Sequence, residues 1–252
     1  MITAESPMPR ISRAEAPELA AAEYDRMLRM LRSLSADDWT RPTDCELWDV
    51  RAMVAHVVGA AHSCASVREQ VHQMRAARRI LKQRGTPLVD GLTEVQVRER
   101  RTLSPAELID RFAVLAPKAV RGRERTPGLL RRIDAGDEVV GPMTIGWLMD
   151  VIYTRDTWLH RVDIARATDR ALELTAEHDG RIVADVVANW AELHGAPFQL
   201  RLTGPAGGDF RQGAQDGHRG EPPVLEHDAV EFCRILSGRA PGTGLLATRV
   251  LF

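Results

Sequence analysis

The first 170 or so residues are dominated by apolar side chains at helical spacing, with no strand-like alternation between them. One such pattern runs from about Ser12 to Leu34, a longer one from about Val50 to Leu81, and another from about Thr144 to Ala167. A further helix is predicted to start at Ser104, which is followed by a proline and then by Glu107; this is the pattern of a capping box. Successive amphipathic helices without intervening strands predict a helix bundle.

The pattern changes after about Ala171. The elements predicted there are a helix over 176–194, a half-buried strand over 198–203, a Gly-rich, hairpin-like stretch over 204–220, a short helix over 228–236 and a terminal strand over 245–252. The sequence therefore predicts an α+β protein with two domains. A bundle of four or more helices is expected over residues 1–172 and a smaller α+β domain over residues 173–252.

The charge balance excludes several classes of partner. Lys and Arg number 34 and Asp and Glu number 35, which gives a net charge of -1. Binding to nucleic acid or to an anionic membrane requires a surplus of positive charge, so neither partner is expected. The sequence has no apolar run of about 20 residues and no hydrophobic signal core, and we expect a cytoplasmic monomer or homodimer that acts on small molecules. Three cysteines without CxxC spacing favour neither a disulfide framework nor a zinc ribbon.

The predicted helix over Thr144–Ala167 carries a polar centre on an otherwise apolar face. Asp156, His160 and Asp163 lie three or four residues apart and therefore share that face. A buried carboxylate and imidazole are costly unless they are paired or bind a metal, and Asp156 and His160 are spaced to chelate one ion. An ion pair on a solvated helix face explains the same spacing, and both interpretations stay open.

A third candidate ligand, His56, lies on the helix predicted to begin near Val50. Small residues on its side of the helix would leave room for an ion or a ligand beside the imidazole. The alternative is a core histidine that hydrogen-bonds a carbonyl group. Together with Asp156 and His160 it would make a three-ligand set of nitrogen and oxygen donors, the number that catalytic zinc sites use.

Three segments of the chain resemble a known family. They are WTRPTDCELWDVRAMVAHVVG, WLHRVDIARATDR, and DAVEFCRILSGR followed by LLATRVLF. The first two resemble the signatures of the DinB-like, mycothiol-dependent maleylpyruvate isomerase family of actinobacteria. The third is similar to the end of that family's C-terminal domain, which has a sterol-carrier-like fold.

The resemblance implies a site and its cofactors. It implies a DinB-like four-helix bundle that holds a divalent metal, usually zinc, on His56, Asp156 and His160. Asp156 stands where the characterised isomerase pattern has glutamate, one methylene longer. The family also implies a catalytic arginine late in the C-terminal domain, for which Arg239 is the nearest match and Arg234 the competitor. The cofactor implied beside the metal is a low-molecular-weight thiol, mycothiol.

The activity implied by the resemblance is thiol-dependent isomerisation or thiol transfer. A thiolate attacks an electrophilic carbon; addition, bond rotation and elimination give cis–trans isomerisation, whereas addition alone or displacement gives transfer. We assign Asp163 as the residue that orients His160, with a salt bridge of no functional role as the alternative. Two other functions stay open: a non-catalytic regulatory or ligand-binding protein on the same fold, and a metal-independent enzyme that uses Asp156 and His160 as acid and base.

Overall fold

The structure is a computed structural model that describes residues 10–136, 141–213 and 221–252. These residues form two compact units, one of residues 13–172 and one of residues 173–252 together with residues 10–12. The first unit is helical and the second combines helices with a three-stranded sheet, so the predicted α+β class is confirmed. The assignment of residues 1–172 and 173–252 as separate domains stays a prediction.

The helical unit contains eight α-helices within its described residues. They are α1 (Ala16–Ser33), α2 (Val50–Ala65), α3 (Val67–Arg84), α4 (Leu88–Arg98), α5 (Pro105–Glu124), α6 (Gly128–Arg131), α7 (Ile145–Trp147) and α8 (Tyr153–Ala167). A π-helical turn, Leu148–Ile152, joins α7 to α8 without a break in the chain direction. The predicted helix over Thr144–Ala167 is therefore present, with a wide turn near its start.

Four of these helices surround the main apolar core. α1, α2, α5 and α8 contribute Met27, Val54, Phe112 and Ile164, none of which is exposed to solvent. Burying a side chain of this size stabilises the fold by about 1.5–3 kcal/mol. The four helices form the bundle that the apolar spacing predicts.

The predicted capping box at the start of α5 is present. The Ser104 hydroxyl accepts a hydrogen bond from the Glu107 backbone N–H at 3.3 Å, and the Glu107 carboxylate accepts one from the Ser104 N–H at 2.7 Å. Two backbone donors that the helix leaves unpaired are thereby satisfied, which fixes where α5 begins.

The single helix predicted from Val50 to Leu81 is wrong, because the chain breaks at Ser66. Ser66 has an extended backbone (φ -146°, ψ 115°), and its side chain accepts a hydrogen bond from the Glu69 N–H as the N-cap of α3. Serine competes for backbone donors in this way, which explains its preference for helix starts over helix interiors. The sequence prediction also omitted α4, which begins after Pro87.

The second unit is built on a small mixed sheet. Its elements are a π-helical turn (Ala176–Gly180), α9 (Arg181–His194), β1 (Phe198–Thr203), β2 (Gly208–Gln212), β3 (Val224–Asp228) and α10 (Ala229–Ser237). The strand order is β2-β1-β3, with β1 antiparallel to β2 and parallel to β3. In this register Leu200 of β1 lies between Phe210 and Leu225.

Two predictions for this unit need correction. β3 was not predicted, and the residues predicted as a terminal strand instead form a 3-10 turn (Gly244–Ala247) followed by irregular chain. The Leu245 carbonyl accepts from the Trp190 indole at 3.0 Å, and the Val250 N–H donates to the Leu236 carbonyl at 3.1 Å. These bonds to helices engage backbone groups that a strand would pair with a neighbour. Of the hairpin-like stretch, residues 214–220 lie outside the described residues.

Candidate metal centre

Helix α2 brings His56 to the inside of the helical unit. Asp49 caps this helix by accepting a hydrogen bond from the Ala52 N–H at 2.7 Å. His56 follows two turns after the cap and is 7% exposed. The neighbouring position Gly59 lies against Gln96 of α4, where even a single Cβ atom would come within 2.6 Å of the glutamine side chain. One of the small residues beside His56, Gly59, therefore allows α2 and α4 to pack closely.

Helix α8 brings Asp156 and His160, one turn apart, to the same place. Just before it, the wide π-helical turn is held by Arg123, which donates to the Met149 carbonyl and to the Thr154 hydroxyl, both at 2.6 Å. Arg123 is 3% exposed, so this anchor is internal. Single π-helical turns recur near functional sites, where they shift the side chains that follow.

The three predicted ligands meet. Nε2 of His56 lies 3.3 and 3.5 Å from the two carboxylate oxygens of Asp156, and Nε2 of His160 lies 3.2 Å from one of them. One donor atom from each of the three residues lies within 4.8 Å of the others. The carboxylate is thus flanked by two imidazoles, and its side chain keeps 22% of its surface exposed.

The electrostatics of this cluster favour positive charge. Burial raises the pKa of Asp156, but the imidazoles of His160 and His56 outweigh it and hold that pKa well below its usual range. Burial lowers the pKa of His160, but the carboxylates of Asp156 and Asp163 outweigh it and raise that pKa to about 9. A proton on His160 or a divalent cation can supply the charge that the carboxylates attract.

The donor chemistry suits a divalent metal such as zinc, which accepts imidazole nitrogen and carboxylate oxygen. His56 presents Nε2 to the cluster, while its Nδ1 is buried with no hydrogen-bond partner among the described residues. The polar contacts of this imidazole are therefore on the side of Asp156. The arrangement of His56, Asp156 and His160 fits the ligand set predicted from the sequence, and the role of these residues as ligands stays a prediction.

Asp163 lies directly behind His160. Its carboxylate is 3.1 Å from Nδ1 of His160, on the opposite side of the ring from Asp156, and it is fully buried. This geometry allows Nδ1–H to donate to Asp163 while Nε2 faces the cluster. Metal-binding histidines are commonly held by such a partner.

Sequence reasoning missed two residues beside the cluster, Trp48 and Cys45. The Trp48 ring centre lies 5.1 Å from that of His56 and 5.9 Å from that of His160. One donor atom each of Cys45, His160 and Asp163 lies within 4.8 Å of the others. Both residues belong to a loop that closes when Trp48 N–H donates to the Cys45 carbonyl, at 2.8 Å. Both residues lie just ahead of α2, within the first of the three segments that resemble the family.

The two candidate arginines belong to the other unit. Arg239 follows α10, and its backbone N–H donates to the Arg234 carbonyl at 2.9 Å. Arg234 is buried within α10, and its guanidinium donates to Glu231 at 2.5 Å. The catalytic role of either arginine stays a prediction.

Comparison with known proteins decides the family. A family model described as the mycothiol maleylpyruvate isomerase N-terminal domain matches residues 20–165, more than half of the chain. The chain belongs to this family. The matched range contains α2, all but the last two residues of α8, and all three residues of the cluster.

Solved structures support the same fold over nearly the whole chain. A crystal structure of the mycothiol-dependent maleylpyruvate isomerase is 16% identical, covers 91% of this chain and 90% of its own, and superimposes with a TM-score of 0.59. A histidine-to-alanine mutant of that enzyme matches with the same identity and coverage and a TM-score of 0.58. No curated protein matches significantly. None of the helices among the described residues has the length and apolar character needed to cross a bilayer.

Proposed function

We propose that this protein is a metal-dependent enzyme that uses a low-molecular-weight thiol of the mycothiol type to isomerise a small, electrophilic, carboxylate-bearing substrate. The observation that carries the proposal is the convergence of His56, Asp156 and His160 from two helices about 100 residues apart in sequence. Family membership supports cis–trans isomerisation over thiol transfer.

His56, Asp156 and His160 would hold the metal, for which we propose zinc. A bound divalent cation lowers the pKa of a thiol and so supplies thiolate at neutral pH. The shorter Asp156 side chain places its carboxylate close to its own helix, and both imidazoles nevertheless reach it at 3.2–3.5 Å. The aspartate therefore stays within reach of the same donor set despite its missing methylene.

The residues around this set have distinct proposed roles. Asp163 fixes the His160 ring by accepting from Nδ1–H, which leaves Nε2 free to bind. Trp48 covers both imidazoles with an apolar ring, which excludes water from one side of the cluster. A low local dielectric strengthens the attraction between the carboxylate and a cation.

We further propose that Arg239 binds the substrate carboxylate, with Arg234 as the alternative. A guanidinium can hold a carboxylate through two parallel hydrogen bonds. Arg234 is buried and donates to Glu231, whereas Arg239 is half-buried.

The direct test is a turnover assay with mycothiol and maleylpyruvate, following cis–trans isomerisation. The wild type should turn over, lose activity after chelation and regain it with zinc, whereas His56→Ala should be inactive. His72→Ala is the matched control, since this exposed histidine on α3 pairs only with Glu99 among the interactions described, and it should retain activity. Activity that survives chelation would favour direct acid–base chemistry by Asp156 and His160. No turnover of any thiol and electrophilic acid would favour a non-catalytic protein.

A further inference from the structure

A second set of metal-binding atoms lies on the other side of His160. It consists of the Cys45 thiol, the Asp163 carboxylate and a ring nitrogen of His160, all within 4.8 Å of one another. Asp163 is fully buried, and its oxygen is 3.1 Å from Nδ1 of His160. Cys45 is half-buried, so the set can be reached through the loop that carries this thiol.

The loop holds Cys45 in place by hydrogen bonds of its own. The Cys45 N–H donates to the Thr43 hydroxyl at 3.2 Å, and the Cys45 carbonyl accepts from the Trp48 N–H at 2.8 Å. The Thr43 hydroxyl also donates to the Trp48 carbonyl at 2.8 Å. These hydrogen bonds close the turn that carries the Cys45 thiol and fix the position of its backbone.

The donor types select the cation. Magnesium and calcium prefer oxygen ligands, whereas sulfur, imidazole nitrogen and one carboxylate oxygen suit zinc and softer divalent ions. The negative carboxylate at full burial lowers the cost of placing such an ion in the protein interior. The set is thus matched to a thiophilic divalent cation.

Both donor sets depend on one imidazole. A neutral imidazole offers one nitrogen lone pair, because its other nitrogen carries the proton. When Nε2 of His160 binds a metal together with His56 and Asp156, its Nδ1–H donates to Asp163. When Nδ1 instead binds a cation together with Cys45 and Asp163, Nε2 carries the proton and cannot bind a metal. As long as the ring keeps one proton, the two sets cannot be filled together.

We propose that Cys45, Asp163 and His160 form a site for a thiophilic divalent cation, and that its occupancy withdraws His160 from the metal centre. The binding of this cation does not depend on the proposed function. Its inhibitory consequence does, since a protein without a metal-dependent activity has none to inhibit.

The test is a cadmium titration of the metal-free full-length protein, followed by the ultraviolet charge-transfer absorbance of a cadmium–thiolate bond. The wild type should develop this band and saturate it at one cadmium per chain. Cys45→Ser should lose the band. Cys64→Ser is the matched control and should keep it, because burial raises the pKa of the Cys64 thiol to about 11 and disfavours the thiolate. Asp163→Asn removes a proposed ligand and should weaken cadmium binding by more than the roughly tenfold that is typical of losing an outer-shell partner.

Two further measurements separate this site from the metal centre. His56→Ala disables the metal centre alone and should keep the band. Free zinc is added at about ten times its dissociation constant from the metal centre. By mass action it should raise the cadmium concentration at half-maximal absorbance about tenfold in the wild type, and by less in His56→Ala.

The outcomes that overturn the proposal are equally specific. A band that persists in Cys45→Ser, or no band in either the wild type or His56→Ala, contradicts the donor set. A band that disappears in His56→Ala contradicts a separate site, and the absence of a zinc shift contradicts exclusive occupancy. A failed isomerase assay would leave all of these absorbance results unchanged, so the two proposals fail independently.

Discussion

The helical unit contains two buried polar clusters that differ in how completely they are paired. In the first, Arg161 of α8 donates to both carboxylate oxygens of Glu23 of α1, at 2.7 and 3.1 Å, and both side chains are at most 1% exposed. In the second, the Asp156 carboxylate lies between His56 and His160 and remains 22% exposed. Both clusters involve α8, within two turns of one another.

The difference separates a structural pair from a binding site. The two-point contact between Arg161 and Glu23 is closed off from solvent, so we interpret it as a contact that stabilises the fold. In the second cluster, the Asp156 carboxylate is partly exposed, and Nδ1 of His160 lies next to the Asp163 carboxylate. Nδ1 of His56 lacks a hydrogen-bond partner among the described residues. An incompletely paired, partly accessible cluster is the one that can accept a cation.

The largest expected effect breaks the structural pair. Glu23→Gln removes the negative charge that faces the buried Arg161 guanidinium, and we expect it to lower the free energy of unfolding by about 3–5 kcal/mol. Urea denaturation of the two proteins measures this. A loss below about 1 kcal/mol, typical of exposed pairs, would show that this pair is not structural.

Zinc should stabilise the protein through the cluster of His56, Asp156 and His160 and not through the Glu23–Arg161 pair. Zinc at about 100 times its dissociation constant should raise the free energy of unfolding of the wild type by about 2.7 kcal/mol, because it binds the folded chain. At the same zinc concentration, His56→Ala keeps the Cys45, Asp163 and His160 set and should show a smaller gain, whereas Glu23→Gln should show all of it. Denaturation with and without zinc gives the three values; an equal gain in His56→Ala would place the zinc elsewhere.

A finer test removes the group behind His160. Asp163→Asn keeps the shape of the side chain but not its charge, and we expect zinc affinity to fall by about 10–100-fold. Isothermal titration calorimetry measures it. Unchanged affinity would make Asp163 a structural ion pair, the alternative that the sequence leaves open.

The smallest expected effect concerns a third ion pair, between the buried Asp38 and the half-buried Arg170. Hydrogen bonds from Arg170 and from the Ser35 backbone hold the pKa of Asp38 at about 2, below its usual 3.8. Because the folded pKa is lowered, the stabilisation is present above about pH 4 and is lost as the pH falls towards 2. Asp38→Asn should therefore be less stable than the wild type at about pH 5 and nearly equal to it at about pH 2, as measured by urea midpoints. A difference that does not change with pH would contradict the charge-based account.

Local spacing predicted the parts of the site that lie on one helix. Asp156, His160 and Asp163 are three or four residues apart, and the helical repeat alone places them on one face. The start of α5 was equally predictable, since the capping box is a local hydrogen-bond pattern. The meeting of α2 with α8 has no local signal. It was predicted from the donor types that the two helices carry, and the family resemblance implied the same ligand set.

The parts that the sequence did not predict depend on contacts between distant segments or on loop closure. Trp48 and Cys45 reach the cluster through a turn fixed by Thr43, which has no periodic pattern. β3 is defined by parallel pairing with β1, a non-local contact. Ser66 breaks a helix whose apolar spacing continues on both sides, because its hydroxyl caps the next helix.

The most direct test of the central claim is X-ray absorption spectroscopy of the protein loaded with one equivalent of zinc. We predict a coordination sphere of two imidazole nitrogens with oxygen donors, which falls to one imidazole or to unbound zinc in both His56→Ala and His160→Ala. Zinc bound without imidazole, or a wild-type spectrum that is unchanged in His56→Ala, would contradict a metal centre built from His56, Asp156 and His160.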